Sequence, residues 1–455
     1  MKIPCSEKLK TLCKNLGQSI YIVGGYVRNY LIDQSISKDV DLAGVFDSQT
    51  IIKATEQVGG QVLATYKRTG TVVFKLEDQK YEYTTFREDG YTAGGKHLPE
   101  QVVWTDDIKK DALRRDFRCN AVYYDLLKEQ LIDPLDGVKD IKNKVLQTVK
   151  SADEVFSHDG LRLLRLARFS GELAFSITDE VERGARKNAS NILDISKERI
   201  YSELKAILIC DKKYSFSDKY GHYNALKVLE RCNVLSKILP QLTLGRGMAQ
   251  RQDFHKYDVL EHSLRCVKYA DESVRLGALL HDVGKPYCME KFGKYHGHDK
   301  VGADIALSIL KELKADNKTT TKTVRLIKNH MLDMDLMMKE QKVRLFIAKN
   351  QDIFKPLLLL KQADYSACKD DFNQCKTVEK WNKIYDKMIK ENTPLCLKDL
   401  KVCAKDLLEI GVQQTQLSQA LSYLFEECVK NPALNKKDKL LDLATKRLLN
   451  KPKRK

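Results

Sequence analysis

The sequence predicts an α+β protein of several domains, with a small mixed sheet in its N-terminal part and an all-helical remainder. Three observations carry that expectation. A chain of 455 residues corresponds to about three domains at roughly 150 residues each. Strand signals crowd into residues 1–140. Beyond them, apolar residues recur at helical spacing in DGLRLLRLARFSGEL, KERIYSELKAILI, NALKVLERCNVLSKIL and VLEHSLRCVKYA.

Taken in order, SIYIVGG is a short apolar run ending in two glycines, and YVRNYLI after it looks like a helix start. KDVDLAG alternates polar and apolar residues as a half-buried strand does. TGTVVFKLEDQKYEYTTF reads as a hairpin, two β-branched and aromatic runs around a polar turn. Residues 211–222, 243–253 and 314–322 are polar enough to predict connections, and residues 436–455 form a basic tail. The expected divisions are 1–140, 141–250, 251–370 and 371–455.

Lys and Arg number 79 against 62 Asp and Glu, a formal charge of +17. Such an excess favours a polyanionic partner, nucleic acid or an anionic membrane surface, although a lysine-rich proteome gives the same balance. No apolar run approaches the roughly 20 residues of a membrane span. The N-terminus is charged where a signal peptide is apolar. Twelve cysteines without a CxxC pair read as reduced thiols. These features predict a cytoplasmic protein with no membrane partner.

The residues that carry chemistry begin at Gly24 and Gly25, where a strand turns into a helix. Glycines there let backbone N–H groups approach a phosphate, and the helix start favours an anion; Arg28 follows one turn on. Asp39 and Asp41 share one face of a strand. Crowded carboxylates of that kind suit Mg²⁺ with substrate phosphates completing its shell. Glu82 is either a third such carboxylate or an outward-facing strand residue. Arg114, Arg115, Asp116 and Asn120 cluster near a helix end among apolar neighbours and require partners, which a ribose and triphosphate would supply. A further helix, expected to begin at His158-Asp159, carries Arg162, Arg165 and Arg168. An Asp159 acceptor beside an Arg162 donor matches the Watson–Crick edges of cytosine and adenine, and guanine and uracil reverse that pattern.

In order and spacing, GGYVR, DVD, TTFR, RRDFRCNA, DPLDG and HDGLRLLRLARF resemble the class II nucleotidyltransferases: bacterial CCA-adding tRNA nucleotidyltransferases and their poly(A) polymerase relatives. The resemblance covers about residues 1–205. It implies a nucleotidyltransferase head (1–140), a helical neck (141–250) and Mg²⁺-dependent transfer from CTP and ATP to the tRNA 3′ end with release of pyrophosphate. By position, Asp39 and Asp41 would hold Mg²⁺, and Gly25 and Arg28 phosphate. Arg114 or Arg115, with Asp116, would contact ribose and phosphate. Asp159 and Arg162 would read the base, and Arg165 and Arg168 would neutralise the triphosphate. Asn29 stands where the family carries Asp, which would loosen the support of Arg28. His158 stands where it carries Glu, which changes the buttress behind Arg162. Residues 87–102 resemble the loop of enzymes that add the final A.

Five of nine histidines fall within 255–298. His262, His281-Asp282 (in HDVGKP) and Asp364 are similar to the H…HD…D pattern of HD phosphohydrolases, with His298 and His330 where two-metal members carry further ligands. The mixed N/O set suits a divalent transition metal or Mg²⁺. An HD domain (251–370) and a basic helical tail (371–455) contacting tRNA phosphates would complete the chain; the tail keeps Gly411, while Gln414-Thr415 depart from Pro-Gly. The leading expectation is a CCA-adding enzyme. A partial enzyme adding only A or only CC, a poly(A) polymerase, an HD phosphohydrolase with an RNA-binding head, and an RNA-binding module with inactive sites are the alternatives.

Overall fold

A computed structural model describes residues 2–36, 39–90 and 101–446. The expected loop between 87 and 102 lies outside them over 91–100, and the tail does so from 447. The chain divides into two compact units, Met1–Thr243 with Glu312–Ala315, and Leu244–Lys311 with Asp316–Lys455.

The first unit holds the predicted mixed sheet. Its strands are β1 (Tyr21–Val23), β2 (Asp39–Gly44), β3 (Gln61–Tyr66), β4 (Thr71–Leu76) and β5 (Gln79–Thr85). A separate pair, β6 (Arg87–Gly90) and β7 (Gln101–Trp104), precedes β8 (Tyr123–Asp125) and β9 (Gln130–Ile132). The seven-stranded sheet runs β3-β4-β5-β2-β1-β8-β9. β2 lies parallel to β5 and antiparallel to β1, which makes the sheet mixed. The β4–β5 hairpin turns at Glu77-Asp78, with Glu77 left-handed at φ 53°. Val40 and Leu42 of β2 are buried, while Asp39 and Asp41 are exposed on the other face. The pleat therefore separates core from chemistry on one strand. Helix Gly25–Asp33 packs on β1 and β2, and helix Ser48–Gln57 on β3 and β4.

Helices follow. Ala152–His158, Leu161–Leu173, Asp179–Lys187, Lys197–Leu208 and Gly221–Arg231 complete the first unit's main elements. The second unit is helical, with Val259–Tyr269 packed along Gln351–Lys369.

Two expectations are corrected. Residues 317–322, read as a connection, open helix Asn317–Asn329, with the Asp316 carboxylate accepting from Thr319 N. Asn317, Lys318 and Thr321 are exposed on the solvent side of this amphipathic helix, while Thr320 is buried. The helix expected to begin at His158-Asp159 begins at Leu161 instead, and a separate helix ends just before it. Ala152–His158 ends there, Asp159 is extended at φ −147°, and Leu161–Leu173 starts anew. The break lies at Gly160, where an added Cβ would sit 2.2 Å from the Asn191 carbonyl oxygen. The chain changes direction there because only a glycine fits against that backbone.

Candidate functional site

The catalytic-looking carboxylates stand at the floor of a cavity of about 610 Å³. Gly24 ends β1 at φ +76°, and a Cβ there would lie 2.7 Å from Asp41 Oδ2. Both the backbone conformation and the approach of Asp41 require glycine. Asp39, Asp41, Gly24 and Gly25 line the cavity together with Arg114, Arg115, Asp116, Asn120, Asp159, Arg162, Arg165 and Arg168. Residues more than a hundred positions apart in the chain thus meet in one space. Desolvation raises the Asp41 carboxyl above its ordinary pKa; Arg115 opposes this, and the Asp39 charge adds to it. Glu82 pairs in register with Asp41 across β2 and β5. Desolvation and the Asp41 charge raise its carboxyl as well. Its side chain is nevertheless exposed, and it is not among the residues lining the cavity. Glu82 thus stands beside Asp41 on the same face of the sheet without lining the cavity.

The basic wall is held by groups that sequence reasoning missed. Asp111 is fully buried. It accepts from Arg114 Nε at 2.7 Å, from Arg115 Nη2 at 3.2 Å and from the Tyr123 hydroxyl at 2.6 Å. Burial works against its charge, but Arg114 and Arg115 hold its carboxyl below the ordinary value. Its spacing of three and four residues from the two arginines was the available signal. Asp116 accepts from Arg165 Nε at 2.7 Å and Asn120 Nδ2 at 3.1 Å. Against burial, Arg165 and Asn120 keep it well below the usual carboxylate range. Arg162, Arg165 and Arg168 fan across the cavity because steps of three residues rotate by about 60° on an α-helix. The Phe169 ring lies between guanidinium groups, with those of Arg28, Arg165 and Arg168 at 5.1, 5.0 and 4.5 Å from its centroid. Arg168 also pairs with Glu172 at 2.9 Å and Glu203 at 2.7 Å.

Arg28 lines the cavity as well, and protein partners hold it there. It is buried, with Nη1 donating to Asn120 Oδ1 at 2.5 Å and Nη2 to the Tyr214 hydroxyl at 3.2 Å. Asn29 Oδ1 accepts from Arg28 Nε at 3.1 Å and Nη2 at 2.9 Å. Asn29, a neutral amide, thus keeps two bonds to Arg28 and lacks the charge that an Asp would add. Tyr214 comes from the segment read as a mere connection. Nothing in its local sequence distinguishes it, since the long-range fold alone brings it to the cavity.

Asp159 Oδ1 accepts from Leu161 N at 2.9 Å, and Oδ2 lies 3.8 Å from Arg162 Nε. Burial pushes the Asp159 carboxyl up to about 6, Arg162 opposing. Arg162 is aimed by backbone: Nη2 donates to the Arg114 carbonyl at 2.6 Å and Nη1 to that of Val155 at 3.4 Å. His158 is half-buried, and burial lowers its pKa. With Arg162, Arg114 and Lys150 it borders a second cavity of about 100 Å³.

In the second unit, His262, His281, Asp282, His298, His330 and Asp364 converge from five chain segments. His262 Nε2 lies 3.0 Å from Asp364 Oδ1 and 3.3 Å from His281 Nε2. His281 Nε2 is 3.2 Å from Asp282 Oδ2, and His298 Nε2 is 3.2 Å from Asp282 Oδ1. The Nδ1 atoms of His281, His298 and His330 each lie 2.7–2.8 Å from the carbonyl oxygen three residues earlier. A carbonyl only accepts, so each Nδ1 carries the proton. In a neutral ring, Nε2 then offers a lone pair. His298 and His330 Nε2 stand 3.2 Å apart, an opposition that a cation or a shared proton must relieve. This donor set fits a divalent metal, and three overlapping triads of these residues have ligand atoms within 4.8 Å of one another. Lys285, also missed, forms an ion pair with Asp282 Oδ2 at 2.7 Å and donates to Gln250 Oε1 at 2.7 Å. Among the described residues, no helix is long and apolar enough to cross a membrane.

Comparison with known proteins finds family matches along three segments of the chain. Residues 20–147 match the Poly A polymerase head domain. Residues 174–244 match the probable RNA and SrmB-binding site of polymerase A, and 259–367 the HD domain. An A-adding tRNA nucleotidyltransferase of Deinococcus radiodurans is 29% identical over 369 residues, 76% of each chain. A CCA-adding enzyme of Geobacillus kaustophilus is 33% identical over 210 residues, 46% of this chain and 50% of that enzyme. The match thus spans half the length of that relative. Among solved structures, the Bacillus stearothermophilus CCA-adding enzyme in complex with CTP superposes with a TM-score of 0.68 at 21% identity, over 97% of both chains. The Thermotoga maritima CCA-adding enzyme complexed with tRNA gives 0.60 at 15% identity, over 97% of this chain and 96% of that one. At those identities the likeness establishes the fold. With these segments matched in sequence order, the chain carries a poly(A) polymerase head, an RNA-binding segment and an HD domain, and is similar over three quarters of its length to a tRNA nucleotidyltransferase.

Proposed function

We propose that this protein is a tRNA nucleotidyltransferase that adds CCA to the tRNA 3′ end from CTP and ATP, releasing pyrophosphate. The observation that carries the reading is the single cavity in which the same-face Asp39 and Asp41 meet Asp159, Arg162 and the arginine wall. Its volume of about 610 Å³ lies within the roughly 300–1,000 Å³ of small-molecule sites. Asp39 and Asp41 would hold Mg²⁺, an all-oxygen pair suited to that ion. When bound, Mg²⁺ neutralises triphosphate charge. Arg114, Arg115 and Arg165 give the cavity positive potential toward the phosphates. Arg28 and Asp116 act through others, Arg28 by fixing Asn120 and Asp116 by aiming Arg165. Asp159 and Arg162 present an acceptor and a donor to the base edge, which selects cytosine and adenine.

His262, His281, Asp282 and Asp364, with His298 and His330, would hold a divalent metal for hydrolysis of a phosphate ester. Such a cation supplies Lewis acidity toward the phosphoryl group. Addition of A alone is a second reading, favoured by the A-adding relative that matches 76% of this chain.

The deciding experiment supplies the protein with tRNAs lacking the last one, two or three nucleotides, gives CTP and ATP singly and together, and sequences the products. Completion from the shortest primer is expected. Extension only of the CC-ending primer would select the A-adding reading, long A tracts would select a poly(A) polymerase, and no extension would remove the assignment.

A further inference from the structure

We propose that the Trp104 indole, beside the basic turn Lys67–Thr69, is the platform on which terminal bases of the primer RNA stack next to the nucleotide cavity. The inference rests on the RNA-extending role proposed above. The chain has two tryptophans. Trp381 is fully buried in the second unit, whereas Trp104 is 50% exposed. A single exposed aromatic is ordinary, but this one is built in. Position 70 is a glycine at φ +61°, and a Cβ there would come within 2.8 Å of Trp104 Cη2 and 2.9 Å of Cζ3. The indole therefore rests on bare backbone in a place where another residue would displace it.

Its location gives it a task. Trp104 is the antiparallel partner of Arg87 across β6 and β7, so the two side chains share a face. Arg87 Nη1 donates to the Thr69 carbonyl at 2.6 Å. Arg87 and Thr69 both line the cavity that holds Asp39 and Asp41. The indole thus flanks residues of the cavity wall without lining the cavity itself. That is where a primer end must lie if the cavity takes the incoming triphosphate. Tyr66, Lys67 and Arg68 are exposed on the adjoining turn. Aromatic faces interleaved with cations are the chemistry of single-stranded nucleic acid binding: π-faces take bases of any sequence, and cations take the phosphates. A growing end whose terminal base changes during extension needs a contact of this sequence-tolerant kind.

Because Trp381 is buried, collisional quenching reports on Trp104 in the unmodified, full-length protein. Acrylamide quenching is measured with and without a tRNA transcript ending before its final A. Steady-state extension by wild type, Trp104→Ala and Trp104→Phe accompanies it. Bound RNA is expected to shield the exposed emitter. Trp104→Ala should raise KM for the tRNA about tenfold while KM for ATP stays within about twofold, and Trp104→Phe should recover most of the loss. If wild type extends the tRNA but acrylamide quenching is unchanged by it, the stacking platform is wrong and nucleotide transfer stands. The same holds if Trp104→Ala leaves KM for tRNA unchanged. If wild type extends no primer, the underlying reading fails and the platform falls with it.

Discussion

Asp159 carries the most exposed single consequence of the site. A carboxyl held at about 6 is ionised above that pH and protonated below it. A raised carboxylate pKa means that the acceptor role is present at neutral pH and lost on acidification. The protonated group can donate as well as accept, so it no longer rejects guanine and uracil. Preference for CTP and ATP over GTP and UTP, measured as ratios of kcat/KM, should therefore fall as pH drops through about 6. The four triphosphates titrate alike, so their own protonation cancels in the ratio. Asp159→Asn should give a low and pH-independent preference, and a preference that stays constant in wild type would remove Asp159 from base selection. Asp111 shows the complementary case. It is fully buried and touches two arginines, and truncation would strand both. Asp111→Ala should cost about 3–5 kcal/mol of stability, seen as a lower denaturant midpoint. A change under 1 kcal/mol would contradict its structural role.

Among the elements, the junction between Ala152–His158 and Leu161–Leu173 is the decisive one. Periodicity showed the apolar stripe and the arginines, but it began the helix at His158-Asp159, where the preceding helix ends and the chain is extended. The break depends on Asn191, whose carbonyl occupies the space of a Gly160 side chain. Gly160 has an ordinary φ of −61°, so its requirement is purely one of contact and invisible locally. Gly160→Ala should overpack this joint by about 1–3 kcal/mol and raise KM for CTP and ATP together, because Asp159 and Arg162 move as one. Gly17→Ala offers a control: Gly17 is also a helix-end glycine, with φ +69° and no atom within 4 Å of an added Cβ. It should lose stability through strain but leave both KM values unchanged. Equal nucleotide KM in Gly160→Ala and wild type would show that the joint does not position the pair. The strand elements were more legible. The DVD alternation placed both aspartates on one face because the period of a strand is two wherever it occurs.

At the scale of the whole molecule, two units carry two donor sets of different chemistry, carboxylates alone in the first and imidazoles with carboxylates in the second. Asp41→Ala should abolish nucleotide addition and leave phosphodiesterase activity, and His281→Ala should do the reverse. Loss of both activities from either change in a folded protein would refute independent sites. Opposed imidazole lone pairs in the second unit predict that Ni²⁺, Co²⁺ or Mn²⁺ raises its melting transition. The gain is about 2.7 kcal/mol at a hundredfold excess over Kd, and His281→Ala should lose it. Sequence by itself determined the chemistry available here. D-x-D, HD and the arginine-rich helix name their donor types, because residue identity fixes charge and hydrogen-bonding capacity wherever the chain goes. Tertiary structure alone decided which of those groups face a substrate. It left Glu82 outside the cavity, engaged Arg28 and Asp116 with protein partners in the cavity wall, and brought Phe169 and Tyr214 into the same lining. The physical reason is that a buried charge must be paired, and its partners are chosen by packing between segments far apart in the chain.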